Sequence, residues 1–277
     1  MTERVLVTGS ASGLGQALAR RYADRGAHVL VTDVATEVDP TLLPAAREQG
    51  EVSYLQLDVR DADGWDRART WVVEHWGGLD VLVNNAGVAA AGRFDVVPIE
   101  DWEWIVDTNL LGVARGCRAF VPLFKEQRSG RIVNVASMAG LVHPPCMASY
   151  NAVKAGVVAL SETLLHELAP FGIGVCVTCP SFFRSNLADS IVRGSDPAVE
   201  RSGAGLVSGS RVSADLIAVR TIAAVDKGKF LVLPSREGRV AWYGKRLASP
   251  VYHWAMKRVG ARVMRKAAGR EVAAGRG

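Results

Sequence analysis

The first fifteen residues contain the feature that most restricts how this chain can fold. The apolar stretch Val5-Leu-Val-Thr-Gly9 predicts a short buried strand, and a helical pattern follows from Gln16 to Arg25. Between them the glycines have the spacing G-x-x-x-G-x-G. Glycines let the backbone turn sharply and approach a pyrophosphate, while the N-terminus of the next helix supplies N–H donors. This unit predicts a dinucleotide-binding α/β fold. The residues expected to contact the cofactor here are Gly9, Ser12, Gly13, Leu14 and Gly15.

An acidic residue ends the second predicted strand, which runs from His28 to Asp33. Asp33 lies about twenty residues beyond the glycine turn, where a carboxylate binds the adenosine ribose hydroxyls. Such a carboxylate repels a 2′-phosphate. Since Ser12 rather than a basic residue stands in the loop and Val34 follows the acid, the sequence favours NAD over NADP. A solvated aspartate at a strand end is the plainer alternative.

Strand and helix patterns alternate along the rest of the chain, which is typical of a doubly wound, mainly parallel sheet. Further strands are predicted at Glu51 to Asp58, Leu79 to Val83, Arg131 to Ala136, Ile173 to Thr178 and Lys229 to Pro234. Helices are predicted at Asp61 to Gly77, Ile99 to Gln127, Tyr150 to Leu168 and Val212 to Val225. One domain over residues 1–235 is the economical interpretation. Side chains at strand ends that are expected to meet the cofactor are Asp58, Val59, Asn85, Ala86 and Gly87.

Three residues near the fifth predicted strand suit proton transfer at a carbonyl or alcohol oxygen. Tyr150 and Lys154 are four apart, so they share one face of a helix. A Tyr phenol has a reference pKa of ~10, and we expect the Lys154 ammonium to lower that pKa towards neutrality. Ser137, at the tip of the preceding strand, can hydrogen-bond the same substrate oxygen. Y-x-x-x-K occurs often by chance, so the pair taken alone is more often a surface Tyr and a surface Lys on an ordinary helix.

One polar residue interrupts the long helix predicted from Ile99 to Gln127. Asn109 lies there among apolar neighbours, and an Asn within a helix is mildly unfavourable. We expect it either to distort the helix and hold a water near Lys154, or to satisfy the core as a buried amide.

Two of the four cysteines form a C-x-x-C pair, Cys176 and Cys179, which can indicate redox or zinc chemistry. Here the pair falls in a predicted strand, where the odd spacing directs the two thiols to opposite faces of the sheet. The histidines show no ligand spacing either. No metal site is predicted.

Taken together, the ordered residues resemble the short-chain dehydrogenase/reductase family. The resemblance covers Val5 to about Pro234 and rests on the glycine turn after Thr8, Asn84-Asn85-Ala86-Gly87, Asn109, Ser137 and Tyr150-x-x-x-Lys154. It implies a seven-stranded doubly wound sheet and a nicotinamide cofactor. By the same resemblance Tyr150 is the general acid/base, Lys154 lowers its pKa and holds the nicotinamide ribose, Ser137 orients the substrate oxygen, and Asn109 anchors a relay water. Pro180 and Ser181 are expected to contact the cofactor, although the family often has Pro-Gly there.

The function expected from these residues is an NAD(P)-dependent oxidoreductase that interconverts a secondary alcohol and a ketone. A non-catalytic nucleotide sensor on the same fold and a sugar epimerase or dehydratase relative are the alternatives. The residues expected to line the cleft are mostly apolar, which favours an apolar substrate. They are Val88, Met138, Leu141, Val142, Met147, Phe182, Phe183 and Leu187. Arg93 and Arg184 could instead meet an anionic group, and a polar stretch from Leu187 to Ser210 is expected to form a mobile segment over the site.

Residues 236–277 differ from the rest of the chain in charge. They contain eleven Lys/Arg and two Asp/Glu, a net of +9, whereas the whole chain carries +5. Ser249-Pro250 predicts the start of an amphipathic basic helix. It is expected either to lie on an anionic membrane surface or to pack on its own subunit or a neighbour; nucleic acid fits less well.

The chain lacks a run of apolar residues long enough for a transmembrane helix and lacks a signal-peptide layout, so a cytoplasmic location is expected. The helices Ile99 to Gln127 and Tyr150 to Leu168 are apolar on more than one face. They predict a homodimer or homotetramer.

Overall fold

A parallel sheet forms the centre of the structure, a computed structural model that describes residues 2–47, 49–181, 183 and 212–274. Its seven strands within that part of the chain are β1 (Arg4–Thr8), β2 (His28–Asp33), β3 (Val52–Gln56), β4 (Val81–Asn84), β5 (Gly130–Val135), β6 (Ile173–Thr178) and β7 (Leu231–Val232). They lie in the order β3-β2-β1-β4-β5-β6-β7, and every neighbouring pair is parallel. The predicted doubly wound sheet is therefore confirmed.

Helices cover both faces of the sheet. They are α1 (Gly13–Asp24), α2 (Ala62–Trp76), α3 (Ile99–Val106), α4 (Gly112–Gln127), α5 (Ala139–Val142), α6 (Ala148–Leu168), α7 (Ala214–Asp226), α8 (Arg236–Leu247) and α9 (Ser249–Ala274). A π-helical turn, Asp107–Leu111, joins α3 to α4, and short 3-10 turns occur at Pro40–Leu42 and Ala169–Phe171.

The inner strands β1, β2, β4, β5 and β6 are mainly apolar because both faces of the sheet are buried there. Leu6 of β1 packs into one core cluster with residues of α2, α4 and α6. Its neighbours Val5 and Val7 pack on the opposite face with residues of α1 and α7. Alternate residues of each strand thus pack into two separate hydrophobic cores, one on each face of the sheet.

The strand order reverses between β1 and β4, and this places two loops side by side. The glycine turn follows β1, and Asn84-Asn85-Ala86-Gly87 ends β4 and begins the loop after it. In open parallel sheets ligands bind in the crevice outside the carboxyl ends of the strands at such a reversal. The fold therefore positions a site at this edge.

The helices differ from the expectation in two respects. The single helix predicted from Ile99 to Gln127 is divided by the π turn, because the side chain of Asn109 is bonded to the backbone of Val88 outside the helix. Helix α8 was not predicted, and its sequence contains two glycines, which are unfavourable within a helix. The helix predicted to start at Ser249 is present as α9.

The basic tail packs on the domain through one side of each helix. In α8, Gly238 is buried and Trp242 packs against the core, while in α9 the Tyr252 hydroxyl contacts the body of the protein. The expected packing of the tail on its own subunit is observed. Among the described helices, none has both the length and the hydropathy that crossing a bilayer requires.

Candidate active site

The turn after β1 requires glycine at two positions because backbone approaches backbone there. A Cβ on Gly9, whose φ is +61°, would lie 2.7 Å from the Cα of Ala86, and one on Gly15 would lie 2.1 Å from the carbonyl oxygen of Gly9. Gly13 also has a positive φ, +57°, but a Cβ there would meet no atom within 4 Å. The turn is thus closed on its inner side and open at Gly13. The open side is the place where a phosphate can approach the helix N-terminus.

Residues after β4 are tied directly to this turn. The Thr8 hydroxyl accepts hydrogen bonds from the backbone N–H groups of Asn85 and Ala86, both at 3.0 Å. The Asn85 amide donates to the carbonyl oxygens of Thr8 and Gly9 at 2.9 and 3.0 Å. These bonds hold the two loops of the crevice as one surface. Thr8 was not singled out from the sequence, although it directly precedes the first glycine.

The Asp33 carboxylate points into the glycine turn. One oxygen accepts from the Ala11 N–H at 3.0 Å and the other from the Val34 N–H at 2.8 Å. Each carboxylate oxygen can accept a second bond, so ribose hydroxyls can still be bound. Ser12 is exposed at the N-cap of α1 and its hydroxyl makes no capping bond, which leaves it available to a ligand, and Leu14 is buried beneath it. This arrangement fits the adenosine half of a dinucleotide.

Asp58 and Val59 are less clearly directed towards the cofactor. The Asp58 carboxylate is bound by Arg60 at 2.6 Å, and this guanidinium lowers the pKa of the carboxyl group. Val59 is buried against Gly112, and its carbonyl accepts from the Trp65 indole. A contact of these two residues with adenine stays a prediction.

Tyr150, Ser137 and Lys154 come together at the carboxyl end of β5. Tyr150 is buried, and its hydroxyl is hydrogen-bonded to the Ser137 hydroxyl. The Lys154 ammonium lies 5.8 Å from the centre of the Tyr150 ring and donates to the Val135 carbonyl at 2.9 Å. The three side chains that were predicted to act together therefore lie close to one another.

The expected lowering of the Tyr150 pKa was wrong for this arrangement. Burial raises the pKa of Tyr150, and the bond from Ser137 offsets this only in part. Burial also lowers the pKa of Lys154 to about 8, because the ammonium has lost its water. Burial therefore favours the protonated form of the Tyr150 phenol.

Asn109 is fully buried, and both ends of its amide are bonded to Val88. Its oxygen accepts from the Val88 N–H and its nitrogen donates to the Val88 carbonyl, each at 2.8 Å. A Cβ on Gly87 would lie 3.0 Å from the Asn109 oxygen and 3.5 Å from the Lys154 nitrogen. Asn109 thus fixes the loop after β4 beside Lys154. The distortion of the helix is confirmed, whereas the role in holding a water stays a prediction.

The residues after β6 close the crevice from the other side. The Pro180 carbonyl accepts from the Met138 N–H at 2.9 Å, and the Ser181 hydroxyl donates to that of Ser235 at 2.7 Å. Among described residues other than glycine, positive φ occurs at Arg128, His143 and Cys146. Ser181 therefore replaces the glycine common in this family without backbone strain.

The apolar residues expected to line the cleft separate into three groups. Val88 and Met147 pack with Tyr150 in a third apolar cluster, and their contact with a substrate stays a prediction. Met138 instead packs under α8, where a Cβ on Gly238 would lie 3.0 Å from its sulfur, and Phe183 joins the core on the far face of the sheet. Phe182, Arg184, Leu187 and the segment to Ser210 lie outside the described residues.

The C-x-x-C pair is divided by the sheet, as its spacing predicted. Cys176 and Cys179 belong to the two opposite core clusters, and both thiols are free. Burial raises the pKa of each thiol to about 12. The Cys179 thiol also accepts a hydrogen bond from the backbone N–H of Ser137. Cys179 thus supports the backbone of Ser137 from within the core.

The fold and these side chains define an oxidoreductase of the dinucleotide-binding α/β class. The chain belongs to the short-chain dehydrogenase family, whose model, described as "short chain dehydrogenase", matches residues 3–196. A relative from Staphylococcus aureus, "3-oxoacyl-[acyl-carrier-protein] reductase FabG", is 36% identical over 193 residues. That match covers 69% of this chain and 78% of the relative.

Solved structures show the same likeness. A short-chain dehydrogenase/reductase from Burkholderia phymatum in complex with NAD has a TM-score of 0.81 and 29% identity, covering 90% of this chain and 95% of that one. A short-chain dehydrogenase from Sphingobium yanoikuyae in complex with NADPH has a TM-score of 0.72 and 26% identity, covering 90% and 94%.

Proposed function

We propose that this protein interconverts a ketone and a secondary alcohol, with NAD(H) as cofactor. The observation that carries the proposal is the buried Tyr150, hydrogen-bonded to Ser137 and adjacent to Lys154. The cofactor supplies the hydride. Ser137 and Tyr150 hydrogen-bond the carbonyl oxygen, and Tyr150 donates its proton as negative charge develops there. Lys154 then stabilises the phenolate that remains.

An apolar ketone is the substrate class that the surrounding side chains suit best. Val88 and Met147 pack with Tyr150, and Ile105 and Val153 extend the same apolar cluster. The S. aureus relative is named for a 3-oxoacyl substrate, which is a ketone on an acyl chain. A 3-oxoacyl thioester is therefore a sensible first substrate to test.

The preference for NAD rests on Asp33. Its carboxylate faces the turn where the adenosine ribose would lie. The neighbouring Val34 is exposed and carries no positive charge that could bind a 2′-phosphate. A 2′-phosphate placed there would meet a like charge.

The proposal is tested by following nicotinamide absorbance with a panel of ketones that includes a short 3-oxoacyl thioester. The parent protein is expected to oxidise NADH with at least one of them. Tyr150→Phe should lower turnover by a factor of ~10² or more, because general acid/base catalysis contributes ~10²–10⁴-fold. The matched control Tyr243→Phe, on the exposed side of α8, should retain parental turnover. More than about a tenth of parental turnover in Tyr150→Phe contradicts the proposed role.

We also propose that the protein assembles as a dimer or tetramer through α4 and α6. Both helices carry partly buried apolar side chains beyond those that face the sheet, among them Val121, Leu123, Leu160 and Leu164. A monomeric mass in sedimentation equilibrium at micromolar concentration contradicts this assembly.

A contact with an anionic lipid surface is the last part of the proposal. Five apolar side chains on α8 and α9 are between 52% and 82% exposed: Val240, Tyr243, Leu247, Val251 and Trp254. Basic side chains surround them, and Arg258 lies 3.8 Å above the Trp254 ring. Exposed apolar and aromatic groups beside Lys and Arg are the composition that binds the interface of anionic bilayers. A second copy of this face would instead bring like charges together. We place the protein inside the cell, at such a surface, where free thiols and nicotinamide cofactors are found together.

A further inference from the structure

The short helix α5 depends on distant side chains to complete its hydrogen bonds. Its four carbonyl groups have too few partners within so short a helix. The Ala139 and Gly140 carbonyls accept from the backbone N–H and the Nε2 of His143, both at 3.1 Å. The Leu141 carbonyl accepts from Lys245 Nζ at 2.6 Å, and the Val142 carbonyl accepts from the Tyr252 hydroxyl at 2.6 Å. Half of the acceptors are therefore satisfied from α8 and α9.

His143 joins the same group of contacts in one tautomer. With the proton on Nε2 it donates to Gly140, which leaves Nδ1 to accept from Lys245 Nζ at 2.9 Å. His143 has a φ of +53°, a conformation that ends the helix at this point. Lys245 thus binds both the last turn of α5 and the residue that ends it.

α5 is in turn part of the catalytic site. The Ala139 N–H donates to the Ser137 hydroxyl at 3.1 Å, at the first turn of α5. A Cβ on Gly140 would lie 2.5 Å from the backbone carbonyl of Lys154, so the helix is packed directly on α6. A shift of α5 would therefore move Ser137 relative to Tyr150 and Lys154.

We propose that Lys245 and Tyr252 are positioning residues for the catalytic serine. They act through α5: their donors hold the Leu141 and Val142 carbonyls and so keep the Ser137 hydroxyl in place against Tyr150. The basic tail is then a working part of the active site. The expected effect on kcat rests on the proposed ketone reduction. The contacts of Lys245 and Tyr252 with α5 do not depend on it.

Kinetics with matched variants test the consequence. Lys245→Met and Tyr252→Phe should each lower kcat roughly tenfold, because small misplacements of reacting groups are costly. Their dissociation constants for NADH should stay within about twofold of the parent, since the glycine turn and Asp33 are untouched. Lys245→Arg keeps a cationic donor and should restore much of the loss. The controls Lys257→Met and Tyr243→Phe make the same chemical changes at exposed tail positions and should match the parent.

Hydrogen–deuterium exchange tests the contacts without any need for turnover. The amides of residues 139–143 should exchange faster in Lys245→Met and Tyr252→Phe but not in the two controls. Parental exchange rates in both variants overturn the proposal whichever ketone the protein reduces. Faster exchange with parental kcat also overturns it, because the contacts would then be purely structural. If the parent reduces no ketone while the exchange differences are present, the proposed function fails and the hold on α5 is supported.

Discussion

Lys154 is the residue at which stability and function oppose each other most clearly. Its ammonium is buried with a single carbonyl partner, and the pKa of the side chain falls to about 8. Folding therefore disfavours the charged form. This cost is fully present below pH 8, where both folded and unfolded chains are protonated. It fades as the pH rises from about 8 towards the usual value of 10.5, where both are neutral.

Replacing Lys154 should for that reason make the protein more stable and inactive. Lys154→Met is expected to raise the free energy of unfolding at pH 7 by about 1–3 kcal/mol, with the gain shrinking between pH 8 and 10.5. Urea denaturation across this pH range measures it. The exposed control Lys227→Met should change stability by less than about 0.5 kcal/mol at any of these pH values. A destabilised Lys154→Met would show that its bond to Val135 outweighs the cost of burial.

Asp33 is the residue on which the choice of cofactor depends. Asp33→Asn keeps the size of the side chain but removes the charge that a 2′-phosphate would meet. The ratio of kcat/KM for NADH over NADPH is expected to fall by about tenfold or more, because a like-charge contact costs several kcal/mol. Asp95→Asn, an exposed change of the same kind, should leave the ratio unaltered. If the parent protein used NADH and NADPH equally well, Asp33 would not determine the choice of cofactor.

The π turn is the element whose irregularity is most directly tied to the site. It places the Asn109 amide against the Val88 backbone, and this contact fixes the loop beside Lys154. Irregular turns inside helices occur frequently at functional sites. Here two hydrogen bonds between the Asn109 side chain and the Val88 backbone, which lies outside the helix, stabilise the wider π turn.

Loss of these two bonds should be measurable in both stability and activity. Asn109→Leu keeps the volume but leaves the Val88 N–H and carbonyl without partners, at an expected cost of about 1–3 kcal/mol in the free energy of unfolding. Turnover should fall as well, because Gly87 and Lys154 adjoin the same amide. Leu111→Ala, at an exposed position of the same turn, is the control. Parental stability and turnover in Asn109→Leu would mean that the turn does not depend on the amide.

Elements whose signals are local could be predicted from the sequence, and those fixed by distant contacts could not. Helix α2 begins after Asp61, whose side chain accepts a capping hydrogen bond, and it ends before Gly77, which adopts a left-handed backbone conformation. The π turn depends on Val88, which is 21 residues from Asn109, and α8 depends on packing against Met138. The raised pKa of Tyr150 was missed for the same reason, since it reflects burial by segments that meet only in the fold.

At the scale of the whole molecule, the tail has two sides with different surroundings. The inner side contacts α5, and the outer side exposes the apolar residues proposed to meet lipid. Co-sedimentation of the full chain with vesicles of phosphatidylserine and phosphatidylcholine measures the outer side. Binding is expected at low salt, and it should weaken with phosphatidylcholine alone or with added salt.

Variants on the outer side distinguish lipid binding from association of the chain with itself. Leu247→Ser and the double change Lys257→Glu with Arg258→Glu should each weaken vesicle binding severalfold, since each basic residue near such a surface contributes ~1 kcal/mol. Phe94→Ser, which removes an exposed aromatic from the body of the protein, should have no effect. The lipid contact would be contradicted if all variants bound vesicles equally. It would also be contradicted if the variants changed the mass of the protein in solution without changing its binding to vesicles.

The hold of the tail on α5 also sets an order of events during synthesis. Leu141 and Lys245 are 104 positions apart, and Val142 and Tyr252 are 110 apart. Ribosomes add about 5–20 residues per second, so the carbonyls emerge roughly 5–20 seconds before their donors. Ser137, Tyr150 and Lys154 are all made before that interval ends, while the Leu141 and Val142 carbonyls still lack the donors that bind them in the folded protein. The capping of α5 can therefore be completed only after the residues of α8 and α9 have been made.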